Sequence, residues 1–178
     1  MHRTALRIAA ASLALLPTVA VAHPGHEGAS LVDGFLHPLG GIDHIIAMVA
    51  VGLLAARLGG RALWLVPASF VAAMTAAGLV ASSGIALPYV ETGIGVSVVV
   101  LGAIAVFGVA MPIAVAMGLV GFFAVFHGYA HGAEMPETVS GLAYGAGFVA
   151  ATAMLHGMGI GLGLMVGHVG RTTLRRGA

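Results

Sequence analysis

Two histidines and a glutamate lie within the nine residues FHGYAHGAE, residues 126–134, at the end of an apolar run. Successive side chains of an α-helix are about 100° apart, so His127, His131 and Glu134 would share one stripe of a helix. Imidazole and carboxylate groups on one stripe are a ligand pattern for a divalent metal ion. A helix end with a cap and interfacial side chains is the alternative, but three aligned ligand types favour a metal site.

A second group of the same residue types occurs in HPLGGIDH, residues 37–44. His37 and His44 are seven residues apart and would share one face of a continuous helix, whereas Asp43 is turned by about 100° from His44 towards a neighbouring helix. Pro38 suits the first position of a helix, which predicts His37 as the N-cap. The alternative is that His37 and Asp43 only cap a helix and bind no metal.

The composition places these groups in a membrane protein. The chain has 178 residues, of which 60% are hydrophobic and only 7% are charged, whereas soluble domains have about 25% charged residues. Its 28 glycines suit close helix packing in lipid. It has no cysteine, which excludes disulfides and thiolate metal sites. No basic stripe indicates nucleic-acid binding. The sequence therefore predicts an all-α bundle of membrane-spanning helices.

The amino-terminal 22 residues have the pattern of a secretory signal peptide. Arg3 and Arg7 precede the short apolar run of residues 8–16, and an Ala-x-Ala cleavage pattern follows at residues 20–22. An uncleaved first span is the alternative. Cleavage would leave a periplasmic segment, residues 23–36, in which His23 and His26 are weaker candidate metal ligands.

About five spans are predicted within a transmembrane domain that covers residues 37–178. Hydrophobicity places them near residues 39–56, 62–81, 89–110, 112–129 and 138–170. The last stretch contains no charged residue and would be about 50 Å long as a helix, which exceeds the ~30 Å hydrocarbon core. It is therefore either one long helix or a helix that is broken near HGMGIGLG.

The charges predict how the spans are oriented. Basic residues follow the first and the last predicted span, at Arg57, Arg61, Arg171, Arg175 and Arg176. The positive-inside rule then places the mature N-terminus in the periplasm and the C-terminus in the cytoplasm of a bacterial inner membrane. All acidic residues fall outside or near the outer ends of spans, at Glu27, Asp33, Asp43, Glu91, Glu134 and Glu137. Such an acidic mouth attracts cations.

With this orientation both histidine motifs lie at one membrane depth, and Glu91 begins the third span at the same level. Ionisable groups within membrane spans are costly and are usually functional. The predicted ligands of a divalent transition metal are His37, Asp43, His44, Glu91, His127, His131 and Glu134. His156, deeper in the last stretch, is a weaker candidate: either an exit-side ligand or a core histidine bonded to a carbonyl.

These motifs resemble those of the HupE/UreJ family, which comprises hydrogenase or urease accessory proteins and nickel or cobalt permeases. The resemblance rests on HPLGGIDH and FHGYAHGAE and extends through GRALWLVP, PYVETGI and GLAYGAGFVAATAMLHGMGIGLG. It implies metal import, with the important roles at His37, Asp43, His44, His127, His131 and Glu134. Family members commonly continue into a further hydrophobic segment, whereas this sequence ends at TTLRRGA, a difference that bears on stability and oligomeric state.

The favoured function is import of Ni²⁺ or Co²⁺ as substrate, with no permanently bound cofactor. Its expected partners are the metal ion, the lipid bilayer, a possible second copy of the chain and, indirectly, maturation proteins of a nickel enzyme. No glycine-rich ATP-binding loop occurs, so the chain itself is not an ATPase. An intramembrane metal-dependent enzyme and a haem-binding protein are the alternatives. The spacing does not distinguish Ni²⁺ from Co²⁺, because both take the same ligands.

Overall fold

The computed structural model describes residues 30–81, 83–135 and 139–176, and every regular element within these ranges is an α-helix. In chain order the helices are α1 (Leu31–Gly40), α2 (Ile42–Leu58), α3 (Ala62–Ala81), α4 (Val90–Phe107), α5 (Ile113–Ala133) and α6 (Val139–Arg176). The predicted signal peptide, together with His23 and His26, lies outside the described residues.

Four helical segments are long and apolar enough to cross a membrane: α3, α4, α5 and residues Gly141–Gly167 of α6. Helices α1 and α2 meet the same criterion as a pair, but they are bent by 89° at their junction. If this pair forms one span, the described residues contain five. The predicted all-α membrane bundle of about five spans is thus confirmed.

The bend between α1 and α2 corrects the prediction for the first motif. Gly41 adopts an extended backbone conformation, with φ −102° and ψ 116°, which ends one helix and begins the next. His37 and His44 therefore lie on two different helices, and the prediction that they share one helical face is wrong. The adjacent glycines at positions 40 and 41 explain the break, because glycine is a poor residue for a helix interior.

Helix α1 also begins earlier than the sequence predicted. Ser30 is its N-cap: the Ser30 hydroxyl accepts a hydrogen bond from the Asp33 N–H, and the Asp33 carboxylate accepts one from the Ser30 N–H. This reciprocal capping box satisfies free donors of the first turn. Pro38 is buried inside α1 rather than at its first position, so the prediction that His37 is the N-cap is wrong.

Helix α6 is continuous, which decides between the two alternatives for the last stretch. Its 38 residues correspond to about 57 Å at ~1.5 Å per residue. The glycines of HGMGIGLG allow close packing rather than a break: a Cβ added at Gly159 would overlap the Val49 carbonyl of α2, and one at Gly52 of α2 would overlap the His156 carbonyl. Small residues let helices in a membrane approach each other in this way.

The same kind of contact holds α3 against α5, the most extensive helix pair of the bundle. A Cβ added at Gly128 of α5 would overlap the Met74 carbonyl of α3, and one at Gly132 would overlap the backbone of Gly78. These two glycines directly follow His127 and His131 in the sequence. The close approach of α3 and α5 therefore also fixes where both imidazole rings enter the bundle.

Replacing Gly128 with alanine is expected to push α3 and α5 apart and to lower the midpoint of thermal unfolding in detergent. Overpacking of a tight contact costs about 1–3 kcal/mol, and here the colliding atom belongs to the backbone and cannot rotate away. Gly118→Ala on the same helix is the matched control, because a Cβ there meets open space. Equal unfolding midpoints for the two variants would contradict this account of the interface.

The charged side chains lie at opposite ends of the bundle. Arg57, at the end of α2, places its guanidinium beside Gly108, the C-cap of α4, where a positive charge is favoured by the helix dipole. Asp43 begins α2, Glu91 begins α4 and Glu134 ends α5, and these three termini lie at the other end. The predicted separation of acids from arginines is therefore present in the fold of the described residues.

Candidate metal-ion site

Three imidazole rings converge inside the bundle: His44 from α2, and His127 and His131 from α5. His44 Nδ1 lies 3.3 Å from His127 Nδ1 and 3.3 Å from His131 Nε2. The planes of the other two rings are inclined to the His44 ring by 76° and 77°. His44 and His127 are buried, with 3% and 0% exposure. We call these residues the three-histidine cluster.

The spacing of the nitrogen atoms suits a coordinated ion. Imidazole nitrogens bind a tetrahedral divalent ion at ~2.0–2.1 Å, which places neighbouring ligand nitrogens about 3.3–3.4 Å apart. The two measured separations from His44 Nδ1 agree with this value. The cluster thus places two pairs of imidazole nitrogens at the spacing of metal ligands within an apolar bundle, and His44 Nδ1 belongs to both pairs.

Ser97 of α4 determines which ring nitrogen of His127 carries the hydrogen. The Ser97 hydroxyl donates to the Ile94 carbonyl at 2.6 Å, and its oxygen lies 2.8 Å from His127 Nε2. Because the single hydroxyl hydrogen points to Ile94, the contact with His127 requires that Nε2–H donates to the serine oxygen. This leaves the lone pair of His127 on Nδ1, which faces His44. Such a hydrogen bond to the second nitrogen is the usual way to orient a metal-ligating histidine.

Replacing Ser97 with alanine is expected to weaken Ni²⁺ binding by about tenfold, since loss of a partner that orients a ligand typically costs 10–100-fold in metal affinity. Titration calorimetry of the purified protein measures this. Ser69→Ala is the matched control, because the Ser69 hydroxyl donates to the Val66 carbonyl at 2.8 Å in the same way but makes no hydrogen bond with a histidine in the described residues. Unchanged affinity in Ser97→Ala would mean that the tautomer of His127 does not matter.

A second group of ligand atoms lies at the surface, above the three-histidine cluster. His37 Nε2 lies 3.6 Å and His131 Nδ1 lies 4.0 Å from Glu134 Oε2, and one ligand atom from each residue fits within a 4.8 Å group. The side chains of His37 and Glu134 are 37% and 56% exposed. These separations are wider than those of the three-histidine cluster, so this outer group is a looser and more accessible site.

His131 belongs to both groups through different ring nitrogens. Its Nδ1 faces Glu134 and its Nε2 faces His44. A neutral imidazole has one N–H and one free lone pair, so the ring offers its lone pair to one group at a time. The outer group and the three-histidine cluster are therefore alternative positions for an ion that His131 holds.

Aromatic rings enclose the histidines. The Phe148 ring of α6 lies 4.5 Å from that of His131 and 5.2 Å from that of His44, centroid to centroid, and Phe70 of α3 lies 5.8 Å from His127. Such walls keep water out and strengthen electrostatic interactions inside the site. Neither Phe148 nor Ser97 stands out in the sequence, because a phenylalanine or a single serine in an apolar helix is ordinary.

Five of the seven predicted ligands belong to the two groups of ligand atoms, whereas Asp43 and Glu91 do not. His37, His44, His127, His131 and Glu134 come together as described above. Asp43 lies beside them: its Oδ1 accepts a hydrogen bond of 2.8 Å from the His44 N–H and so satisfies a free donor in the first turn of α2.

Glu91 is not part of either group. It is exposed in the first turn of α4, about 9 Å along the helix axis from Ser97, and its carboxylate makes no hydrogen bond or ion pair within the described chain. His156 lies deeper in the bundle, away from the outer group, and is buried with 1% exposure.

Comparisons with known proteins agree with these features. The family model described as HupE / UreJ protein matches residues 11–178. Protein HupE of Rhizobium leguminosarum bv. viciae is 47% identical over 161 residues, which cover 90% of this chain and 84% of that protein. No solved structure shows significant similarity to the chain. The resemblance inferred from the two histidine motifs is thus confirmed, and the chain belongs to the HupE/UreJ family of hydrogenase and urease accessory membrane proteins, which is related to nickel and cobalt transport.

Proposed function

We propose that the protein is a permease that imports Ni²⁺ or Co²⁺ across a bacterial inner membrane for the maturation of a hydrogenase or urease. The observation that carries this proposal is the contact of three imidazole rings within an apolar helical bundle, in which His44 Nδ1 lies 3.3 Å from one nitrogen of each of the other two rings. The ion is the substrate, and the protein needs no resident cofactor for this function.

The two groups of ligands suggest a route for the ion. Glu134 and His37 are exposed, so they meet the hydrated ion first, and the carboxylate attracts it electrostatically. His131 then passes the ion inwards, because its other nitrogen faces His44. In the three-histidine cluster, imidazole ligands replace water molecules that the ion loses on entering the bundle, as channel ligands do for permeating ions.

The proposed direction follows from the charges. The end with Asp43, Glu91 and Glu134 faces the periplasm, and the end with Arg57 and Arg61 faces the cytoplasm. A potential of 100 mV, negative inside, contributes about 2.3 kcal/mol per unit charge, hence about 4.6 kcal/mol for a divalent ion. Cytoplasmic reporters fused after Arg61 and at Ala178 should both be active, and a periplasmic signal from either would contradict this orientation.

The geometry gives less support to the two alternatives. A metal-dependent hydrolase needs a general base near a metal-bound water, but Glu134 lies on the outward side of His131, away from the three-histidine cluster. A haem with two axial histidines holds them on opposite faces of the macrocycle, whereas here the nitrogen atoms face each other at 3.3 Å.

The test is uptake of radioactive Ni²⁺ by proteoliposomes that contain the purified protein and an internal chelator. We expect uptake that accelerates when a potassium diffusion potential makes the interior negative, and that excess Co²⁺ inhibits but Mg²⁺ does not. Empty vesicles and vesicles with the Ser69→Ala protein serve as the negative and positive controls. Uptake no faster than that of empty vesicles would contradict the permease.

A further inference from the structure

His156 of α6 is buried, and neither of its ring nitrogens has a hydrogen-bond partner within the described residues. The alternative that it is a core histidine bonded to a carbonyl is therefore not what the structure has. Buried polar groups in native proteins are nearly always satisfied by protein, water or a bound ion. The route proposed above ends at the three-histidine cluster and leaves His156 without a role.

The side chains around His156 connect it to that cluster. The Phe70 ring lies 5.2 Å from the His156 ring and 5.8 Å from the His127 ring, so it contacts both histidines. Along α6, His156 follows Phe148 by eight residues, which is about 12 Å of helix. His156 thus lies farther from the entrance than Phe148 does, in contact with the Phe70 ring.

Two further atoms that are able to bind a metal ion lie near the turn of α6 that precedes His156. Thr152 precedes it by four residues on the same face of α6, and the Thr152 hydroxyl donates to the Met74 sulfur of α3 at 3.9 Å. Thr152 is fully buried, and Met74 is 3% exposed. Within one helical turn, the interior therefore offers an imidazole nitrogen, a hydroxyl oxygen and a thioether sulfur.

A cavity lies beside His131 and Met74. It has a volume of about 370 Å³ and lies between α3, α5 and α6. His131 and Met74 both line it, as do Phe148 and Val149. Met74 therefore borders both this cavity and the Thr152 hydroxyl, whereas Thr152 and His156 do not line the cavity.

We propose that His156, with Thr152 and Met74, forms a second and weaker binding position for the transported ion, beyond Phe70 on the exit side. This inference rests on the proposed permease function. Imidazole suits Ni²⁺ and Co²⁺, whereas a thioether and a hydroxyl bind them weakly. A weaker second position suits an exit, because permeation requires successive sites that the ion is able to leave.

The transport test compares variants of His156 in proteoliposomes. His156→Leu removes the ligand and is expected to lower the maximal rate of Ni²⁺ uptake at least tenfold, while the half-saturating concentration changes less than twofold. His156→Cys supplies a different ligand and is expected to recover part of the rate and to shift preference towards softer ions such as Cd²⁺. Met158→Leu, on an exposed face of α6, is the matched control and should transport normally.

Two outcomes of this series would overturn the proposal. A normal rate in His156→Leu would show that the ion does not use this position. A normal rate in His156→Asn, together with slow uptake by the leucine and cysteine variants, would assign His156 to hydrogen bonding with buried water, since an amide replaces the hydrogen bonds but is a poor ligand for these ions.

A binding measurement separates failure of this position from failure of the permease. Equilibrium dialysis of the purified protein with Co²⁺ should show one weakly bound equivalent that is absent in His156→Leu and present in Met158→Leu. If the native protein binds this equivalent but transports no Ni²⁺, the proposed permease function is contradicted and the proposed binding position is supported. Equal stoichiometry in the native protein and His156→Leu overturns the binding position, whether or not the native protein transports.

Discussion

Replacing His131 with leucine is expected to lower Ni²⁺ uptake at least a hundredfold while the protein still reaches the membrane. His131 is the one histidine of the described chain that faces both the outer group and the three-histidine cluster, through Nδ1 and Nε2 respectively. Its loss therefore removes a ligand from each position and interrupts the transfer between them. A hundredfold loss corresponds to about 2.7 kcal/mol of lost stabilisation.

Initial uptake rates, normalised to membrane protein by immunoblot, measure this effect. Phe122→Leu is the matched control, because Phe122 lies on the same helix but is 59% exposed on the outside of the bundle. It should transport within a factor of two of the native protein. Uptake by His131→Leu above a tenth of the native rate would mean that the ion bypasses this ring.

The second large effect is expected in the affinity for Ni²⁺ rather than in the transfer of the ion between the two groups of ligands. Replacing His44 with leucine should raise the dissociation constant for Ni²⁺ at least a hundredfold, because His44 Nδ1 is the atom that lies 3.3 Å from both other histidines. Without the His44 imidazole, an ion bound by His127 or His131 loses the ligand that lies next to both of them. The fold should tolerate the change, since His44 Nε2 is buried without a hydrogen-bond partner among the described residues and leucine removes that unsatisfied group.

Titration calorimetry measures the dissociation constant, and thermal unfolding in detergent checks that the variant remains folded. His37→Leu is the comparison, because His37 belongs only to the outer group. It should raise the concentration for half-maximal uptake and change the dissociation constant less than fivefold. If His37→Leu weakens binding as strongly as His44→Leu does, the two groups form one site, and the ordered route through His131 is wrong.

The sequence by itself determined the features that depend on neighbouring residues. Hydrophobicity over a window of about 20 residues is a local property, and it predicted the third helix at the bounds that the structure has, Ala62–Ala81. Helical spacing is local too, so His127 and His131 could be placed on one stripe of α5 before the structure was known. The motifs that carry these residues were specific enough to identify the family.

Only the tertiary structure decided which of these side chains meet. The bend at Gly41 places His37 on a helix that packs along α6 and still brings its imidazole to Glu134. The sequence predicts Glu91 at the same depth as the cluster, yet Glu91 is exposed in the first turn of α4, because depth along a helix does not determine the direction of a side chain.

The roles of Ser97 and His156 likewise depend on contacts between helices, which the sequence alone does not determine. Ser97 acquires its role from a contact with a histidine 30 residues away in the sequence, and His156 becomes notable only because the described helices around it leave its ring nitrogens without a hydrogen-bond partner. Periodicity gives the face of a helix that a residue occupies. The rotation and approach of the neighbouring helices, set by glycine contacts such as Gly128 against Met74, decide what that face touches.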